Sequence, residues 1–192
     1  MLDTIMGVPA HALIVHATVV LLPLAALGGA GIALLPPLRR RYGLLVGLLA
    51  LVALVLVPVT TRSGSRLFDR RSAQFGPGDT AEAALMERHA TLAHDLLPWV
   101  IVLFAGVVLV LAVPMVARQR ARQTALVGGA GPEREQVPPA WTRIAAAVAA
   151  VVTLVGAVMT LVMVIRIGHL GAEAAWSRVD DQSVVRFQAT LR

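Results

Sequence analysis

The sequence predicts an all-α fold in which four helices cross a membrane as a bundle. Hydrophobic residues make up 57% of the 192-residue chain, and its mean hydropathy is +0.77. Soluble domains are only about 45–50% apolar. Charged residues are scarce at 15%, and four segments each provide the roughly 20 mostly apolar residues that a helix needs to cross a bilayer. The chain is therefore expected to form a single integral membrane domain, residues 1–192.

The four predicted spans cover residues 12–35, 42–61, 96–117 and 144–167. None carries a charged residue near its centre, and Pro36-Pro37 marks the end of the first span. Prolines near the span ends do not argue against helices, because membrane helices tolerate proline where neighbouring groups satisfy the freed carbonyls. Before the third span, Asp79 and Glu82 have the spacing of a capping box, which predicts a helix that runs on through His89 and His94.

The arginines indicate how these spans are oriented. All 17 basic residues are arginine, a composition typical of a GC-rich bacterial genome. The cluster Arg39-Arg40-Arg41 lies between spans one and two, so the positive-inside rule places residues 36–41 and the loop 118–143 in the cytoplasm. The loop 62–88, the tail 170–192 and both termini are then extracytoplasmic, in a bacterial inner membrane. Arginines that flank spans are explained by topology, so we expect no nucleic-acid partner.

All five histidines fall on the predicted extracytoplasmic side. His11 and His16 begin span one, His89 and His94 precede span three, and His169 follows span four. With a helical rise of about 1.5 Å per residue, His16 and His94 form a deeper layer than the other three. Residues five apart diverge by about 140° around a helix, so any ligation is expected between helices. The natural deep pair is His16 with His94.

The two halves of the chain resemble each other. The stretch HALIVHATVVLLP, from His11, is similar to HATLAHDLLP, from His89, and Arg62 and Gly64 have counterparts in Arg166 and Gly168. Two copies of one helical hairpin would be related by a pseudo-two-fold axis along the membrane normal. That axis would bring spans one and three together in the centre of the bundle.

The histidines lead to three functional hypotheses. The first is a b-type haem protein in membrane redox chemistry, with axial ligands His16 and His94, or His11 and His89, and with Arg62 or Arg166 near the propionates. The second is a copper or zinc site drawn from the same histidines, above all His11, His89 and His169. The third is a non-enzymatic subunit or scaffold whose histidines lie hydrated at the interface or hydrogen-bond between helices.

Other features narrow these hypotheses without deciding between them. The chain has no cysteine, which excludes disulfides, iron–sulfur clusters and covalent c-type haem. No nucleophile–histidine–carboxylate arrangement is evident, and enzymatic activity is left open. The expected partners are the lipid bilayer and a redox or membrane-complex protein. Gly28, Gly29 and Gly31 in span one indicate close helix packing.

Three short motifs resemble a known family. Gly7-Val8-Pro9-Ala10-His11, followed by Val15-His16, resembles the opening G-x-P-x-H-P-x-x-V-H-F-P of the bacterial membrane family called domain of unknown function 2231, with alanine where that family often has Pro and Phe. Arg88-His89-Ala90 resembles the start of its third helix. The stretch from Gly168 to Ala172 resembles its closing G-H-x-G-G, with Ala172 for the last glycine. The resemblance implies a four-helix bacterial inner-membrane protein, with paired histidines similar to those of small membrane b-type cytochromes.

Overall fold

Four long helices make up nearly all of the described structure. The computed structural model describes residues 4–5, 8–72, 80–127 and 140–190, with side chains described for 13–66, 69, 84–123 and 140–173. Two short strands, β1 (Thr4–Ile5) and β2 (Val8–Pro9), pair antiparallel ahead of the helices. The helices are α1 (Ala10–Leu34), α2 (Pro36–Ser72), α3 (Thr80–Val127) and α4 (Ala140–Thr190). The predicted all-α bundle is thus confirmed.

Each helix contains a segment long and apolar enough to cross a membrane. These segments are Leu13–Leu34, Pro36–Arg66, Ala84–Gln123 and Ala140–Glu173. Pro36 and Pro37 occupy the first turn of α2, where a missing N–H removes no helical hydrogen bond. The backbone at this sharp turn is satisfied, since Leu35 N donates to Gly31 O at 2.9 Å and Arg39 N donates to Leu35 O at 3.1 Å.

The helices extend well beyond the predicted spans. The segment 62–88, predicted as a loop, is helical through Ser72 and again from Thr80, and the tail from residue 170 continues α4. Alanine, arginine and glutamate are common in these extensions, and all three favour helix in water. The prediction that α3 runs unbroken through His89 and His94 is confirmed. Asp79, its predicted cap, lies outside the described residues.

The helices form a ring in which each packs against its neighbours in sequence and α4 returns to α1. Neighbours are antiparallel: α1 meets α2 at Thr18–Thr60 near one end and at Gly28–Val46 further along. Helices α1 and α3 face each other across the centre, where a Cβ on Gly29 would meet Leu103 at 3.1 Å. This placement of α1 and α3 is the one expected for two repeated hairpins.

Glycine allows α3 and α4 to approach at backbone distance. A Cβ on Gly106 would lie 2.7 Å from the backbone of Thr153, and a Cβ on Gly156 would lie 2.5 Å from the backbone of Leu103. Such small-residue contacts are typical of membrane helices, which gain little from burying apolar groups against one another. The close packing predicted for span one is found at Gly28 and Gly29, whereas Gly31 is in ordinary contact with its neighbours.

Candidate functional site

A cavity of about 440 Å³ opens at the end of the bundle where α1 begins and α2 leaves the predicted membrane region. We call it the four-helix cavity, because all four helices contribute to its walls. The walls are mostly apolar, with residues such as Val15, Val57, Leu96 and Ile167. Six side chains on the walls carry polar groups: Thr18, Thr60, Thr61, Ser65, His89 and His94. The result is an apolar chamber with two imidazoles.

Residues that the repeat makes equivalent line the four-helix cavity from both halves of the chain. When His11 is aligned with His89, and Arg62 with Arg166, many of the lining residues fall into equivalent pairs. Four such pairs line the cavity: Val15 with Ala93, Thr18 with Leu96, Thr60 with Val164, and Gly64 with Gly168. A chamber bounded by equivalent residues from both halves supports the interpretation of the chain as two hairpins.

His89 has the most constrained imidazole of this cavity. Its side chain is half-buried, and its Nδ1 is buried without a hydrogen-bond partner. Gly171 of α4 lies against the ring, so that a Cβ at this position would be 3.3 Å from Cε1 and 3.6 Å from Nδ1. Because Nδ1 is inaccessible, Nε2 is the only ring nitrogen that His89 can offer to a molecule in the cavity.

The wall opposite the α3–α4 pair carries a hydrogen bond between helices. The hydroxyl groups of Thr18 and Thr60 are 2.8 Å apart, and each also lies near a carbonyl one turn earlier, at Ile14 and Leu56. The equivalent positions in the second half, Leu96 and Val164, are apolar. One half of the cavity is therefore more polar than the other.

The structure brings together some of the predicted site residues and separates others. His94 is exposed and lines the four-helix cavity together with His89. His16 is also exposed but does not line this cavity, so the structure does not bring His16 and His94 to one chamber. Arg62 is exposed beside the lining residue Thr61. The side chain of His11 lies outside the described residues.

Arg166 and His169 lie elsewhere, in a second and more open depression between α3 and α4. We call it the α3–α4 groove, and Glu87, Arg88 and Thr91 line it as well. His169 Nε2 is 3.2 Å from Glu173 Oε1, one turn further along α4, and both side chains are well exposed. Within the described side chains, no three His, Cys, Asp or Glu residues lie close enough to hold a metal ion.

The sequence pattern does not mark Gly171, Thr18 or Thr60 as parts of a site. Gly171 was noted only as part of a family-like motif, and its contact with His89 depends on the pairing of α3 with α4. The two threonines are isolated polar residues in apolar runs, a signal that often marks contact between helices. Polar residues within predicted spans could thus have pointed to this wall of the cavity.

Comparison with known proteins gives a family and no individual relative. No curated protein and no solved structure matches the chain at a significant level. Residues 7–180 match the family model described as "Predicted membrane protein (DUF2231)", a match that covers all four helices. Together with the four apolar helices, this match shows that the chain is a membrane protein of the DUF2231 family.

Proposed function

We propose that the protein binds a b-type haem in the four-helix cavity and serves in electron transfer at the membrane. The observation that carries the proposal is the mostly apolar cavity into which His89 can present only Nε2. Histidine is the usual protein ligand of b-type haem iron, and a haem site combines apolar walls with a few polar groups. A volume of about 440 Å³ lies within the usual range for sites that hold small ligands.

His89 would hold the haem iron together with His11. His11 is the equivalent of His89 in the first half of the chain, and residues from both halves line the cavity. This is the shallower of the two pairs that the sequence indicated. His94, which also lines the cavity, is the alternative second ligand. When bound, haem supplies one-electron redox chemistry, while the protein holds the group and excludes water.

The propionates of such a haem require cationic partners. Arg62 follows the lining residue Thr61, and Arg166 precedes the lining residue Ile167. Both arginines are exposed at the end of the bundle where the cavity opens. Guanidinium groups bind carboxylates strongly through paired hydrogen bonds, so we assign Arg62 to the propionates, whereas Arg166 lines the separate α3–α4 groove.

A copper or zinc site is the second candidate. Its support is the imidazole of His89, because imidazole is a good ligand for both metals. Such a site would need His11 or other donors that join His89, since the described side chains contain no group of three donors. We favour haem because one or two histidines and an apolar chamber suit it better than they suit a small cation. A protein without any cofactor would be a structural subunit of a membrane complex.

The experiment that tests the proposal is an optical spectrum of the full chain, purified in mild detergent after expression with ample haem. We expect a Soret band that shifts on reduction with dithionite, together with sharp α and β bands. The variant His89→Ala should lose this spectrum, whereas His169→Ala, a histidine outside the cavity, should keep it. A wild-type protein without haem would overturn the proposal. Metal analysis of the same sample would then separate a copper or zinc protein from one that holds no cofactor.

A further inference from the structure

The α3–α4 groove holds two arginines from different helices. Arg88 of α3 and Arg166 of α4 line it, and neither makes an ion pair within the described side chains. Glu87 also lines the groove, and Glu173 balances His169 when that imidazole is protonated, so the net charge of these five side chains is then +1. Two guanidinium groups at one depression can each donate paired hydrogen bonds to phosphate oxygens. A group with a single negative charge would neutralise the groove.

An apolar surface leads from the groove towards the membrane interior. Along α4, the exposed side chains of Val151, Val155, Val158, Val162 and Ile165 follow one another at intervals of three or four residues. Such intervals place them on one face of the helix. Arg166 is one turn beyond Val162, and His169 is one turn beyond Ile165. Ile165 is 70% exposed, so this apolar face is exposed along α4 up to the residue before Arg166, which lines the groove.

From this juxtaposition we infer that the groove binds the phosphodiester of an anionic bilayer lipid. The acyl chain of this lipid lies along the exposed surface of α4 that we call the valine face, formed by Val151, Val155, Val158, Val162 and Ile165. Arg88 and Arg166 hold the phosphate, and Leu92 and Leu170 contribute the apolar part of the groove. Phosphatidylglycerol fits the charge, because it carries one negative charge and no ammonium group. This inference does not depend on whether the four-helix cavity holds a haem.

The test is native mass spectrometry of the full chain in mild detergent, titrated with phosphatidylglycerol or phosphatidylcholine. We expect the wild type to prefer phosphatidylglycerol by about fivefold or more, and Arg88→Gln or Arg166→Gln to weaken that binding by about fivefold each. Arg66→Gln is the matched control, since Arg66 is an exposed arginine at the same end of the bundle but outside both the groove and the four-helix cavity. Exposed substitutions of this kind leave folding nearly unchanged, which circular dichroism would verify.

Several outcomes would overturn the inference. One is equal affinity for the two lipids, and another is binding that neither Arg88→Gln nor Arg166→Gln weakens. A loss as large with Arg66→Gln would show a diffuse electrostatic effect in place of a site. A third arm adds inorganic phosphate at the same concentration as the lipid. If inorganic phosphate at that concentration displaced the bound phosphatidylglycerol, the groove would be a site for free phosphate. The valine face would then play no part in binding.

Discussion

At the scale of single residues, the contact between Gly171 and His89 holds the imidazole in place. The ring has one buried nitrogen, and the glycine leaves just enough room for it on the α4 side. Metal-binding histidines depend on the groups that fix their orientation, and loss of such a group typically lowers affinity by about 10–100-fold. Gly171 would fix this orientation by shape and not by a hydrogen bond.

Replacing Gly171 should therefore impair haem binding without removing a ligand. In Gly171→Val, the new methyl groups would push against Cε1 and Nδ1 and turn the ring from the cavity. We expect haem affinity to fall by about tenfold or more, measured by haem titration followed at the Soret band. The control is Gly168→Ala, because a Cβ on Gly168 meets nothing within 4 Å. Unchanged affinity in Gly171→Val would show that the ring position does not matter.

The Thr18–Thr60 hydrogen bond makes a separate, energetic prediction. Hydrogen bonds between membrane helices contribute about 0.6 kcal/mol on average, so Thr18→Val and Thr60→Val should each destabilise the bundle by about that amount. The double variant should cost less than the sum of the two, since either substitution already removes the shared bond. Unfolding in detergent, followed by circular dichroism, measures these values.

Thr61→Val provides the control for this cycle. Its hydroxyl donates only within α2, to the carbonyls of Val57 and Pro58. It should show no coupling to Thr18→Val. Strict additivity between Thr18→Val and Thr60→Val would contradict a hydrogen bond between α1 and α2.

At the scale of elements, the crossing of α3 and α4 depends on Gly106 and Gly156. In Gly156→Val the first added carbon would meet the backbone of Leu103 at 2.5 Å, and a helix backbone cannot move aside as a side chain can. The two helices would have to separate, and we expect a loss of about 1–3 kcal/mol in the free energy of unfolding. The same detergent unfolding assay measures it.

Gly31→Ala is the matched substitution in α1. Its new Cβ would make an ordinary contact of 3.5 Å with Leu38, and alanine is the better helix former, so we expect a change within about 0.5 kcal/mol. Equal losses in Gly31→Ala and Gly156→Val would indicate that any lost helix glycine destabilises the bundle. The specific approach of α3 to α4 would then have no special importance.

The elements show clearly what could be predicted from this sequence. Four helices followed from hydropathy alone, because a span must satisfy its backbone internally and must be apolar along its length. The inward faces could not be predicted in the same way, since a helix that meets lipid outside and apolar side chains inside has no polar face. His16 and His94 occupy equivalent positions in the two halves, yet only His94 lines the cavity. That difference arises from helix rotation, which sequence spacing does not reveal.

At the scale of the whole molecule, the ring of four helices leaves a chamber lined by all four helices and a groove on its outer surface at the same end. The described histidines and Arg62, Arg88 and Arg166 gather at this end, while Arg39, Arg40 and Arg41 mark the other. The side of the membrane on which the chamber opens decides which donor or acceptor could reach a haem there. By the positive-inside rule, the distribution of arginines predicts that it opens outside the cytoplasm.

The absence of cysteine makes this orientation directly testable. Ala172, near the groove, and Ala121, at the opposite end of the bundle, are both exposed. A membrane-impermeant maleimide should label Ala172→Cys in whole cells. It should label Ala121→Cys only after the cells are lysed. Replacing Arg39, Arg40 and Arg41 with glutamine should remove the main topogenic signal and produce label at both positions in intact cells. If Ala121→Cys were labelled in intact cells and Ala172→Cys only after lysis, with Arg39, Arg40 and Arg41 unchanged, the histidines would lie on the cytoplasmic side. A redox partner of the proposed haem would then have to be a cytoplasmic one.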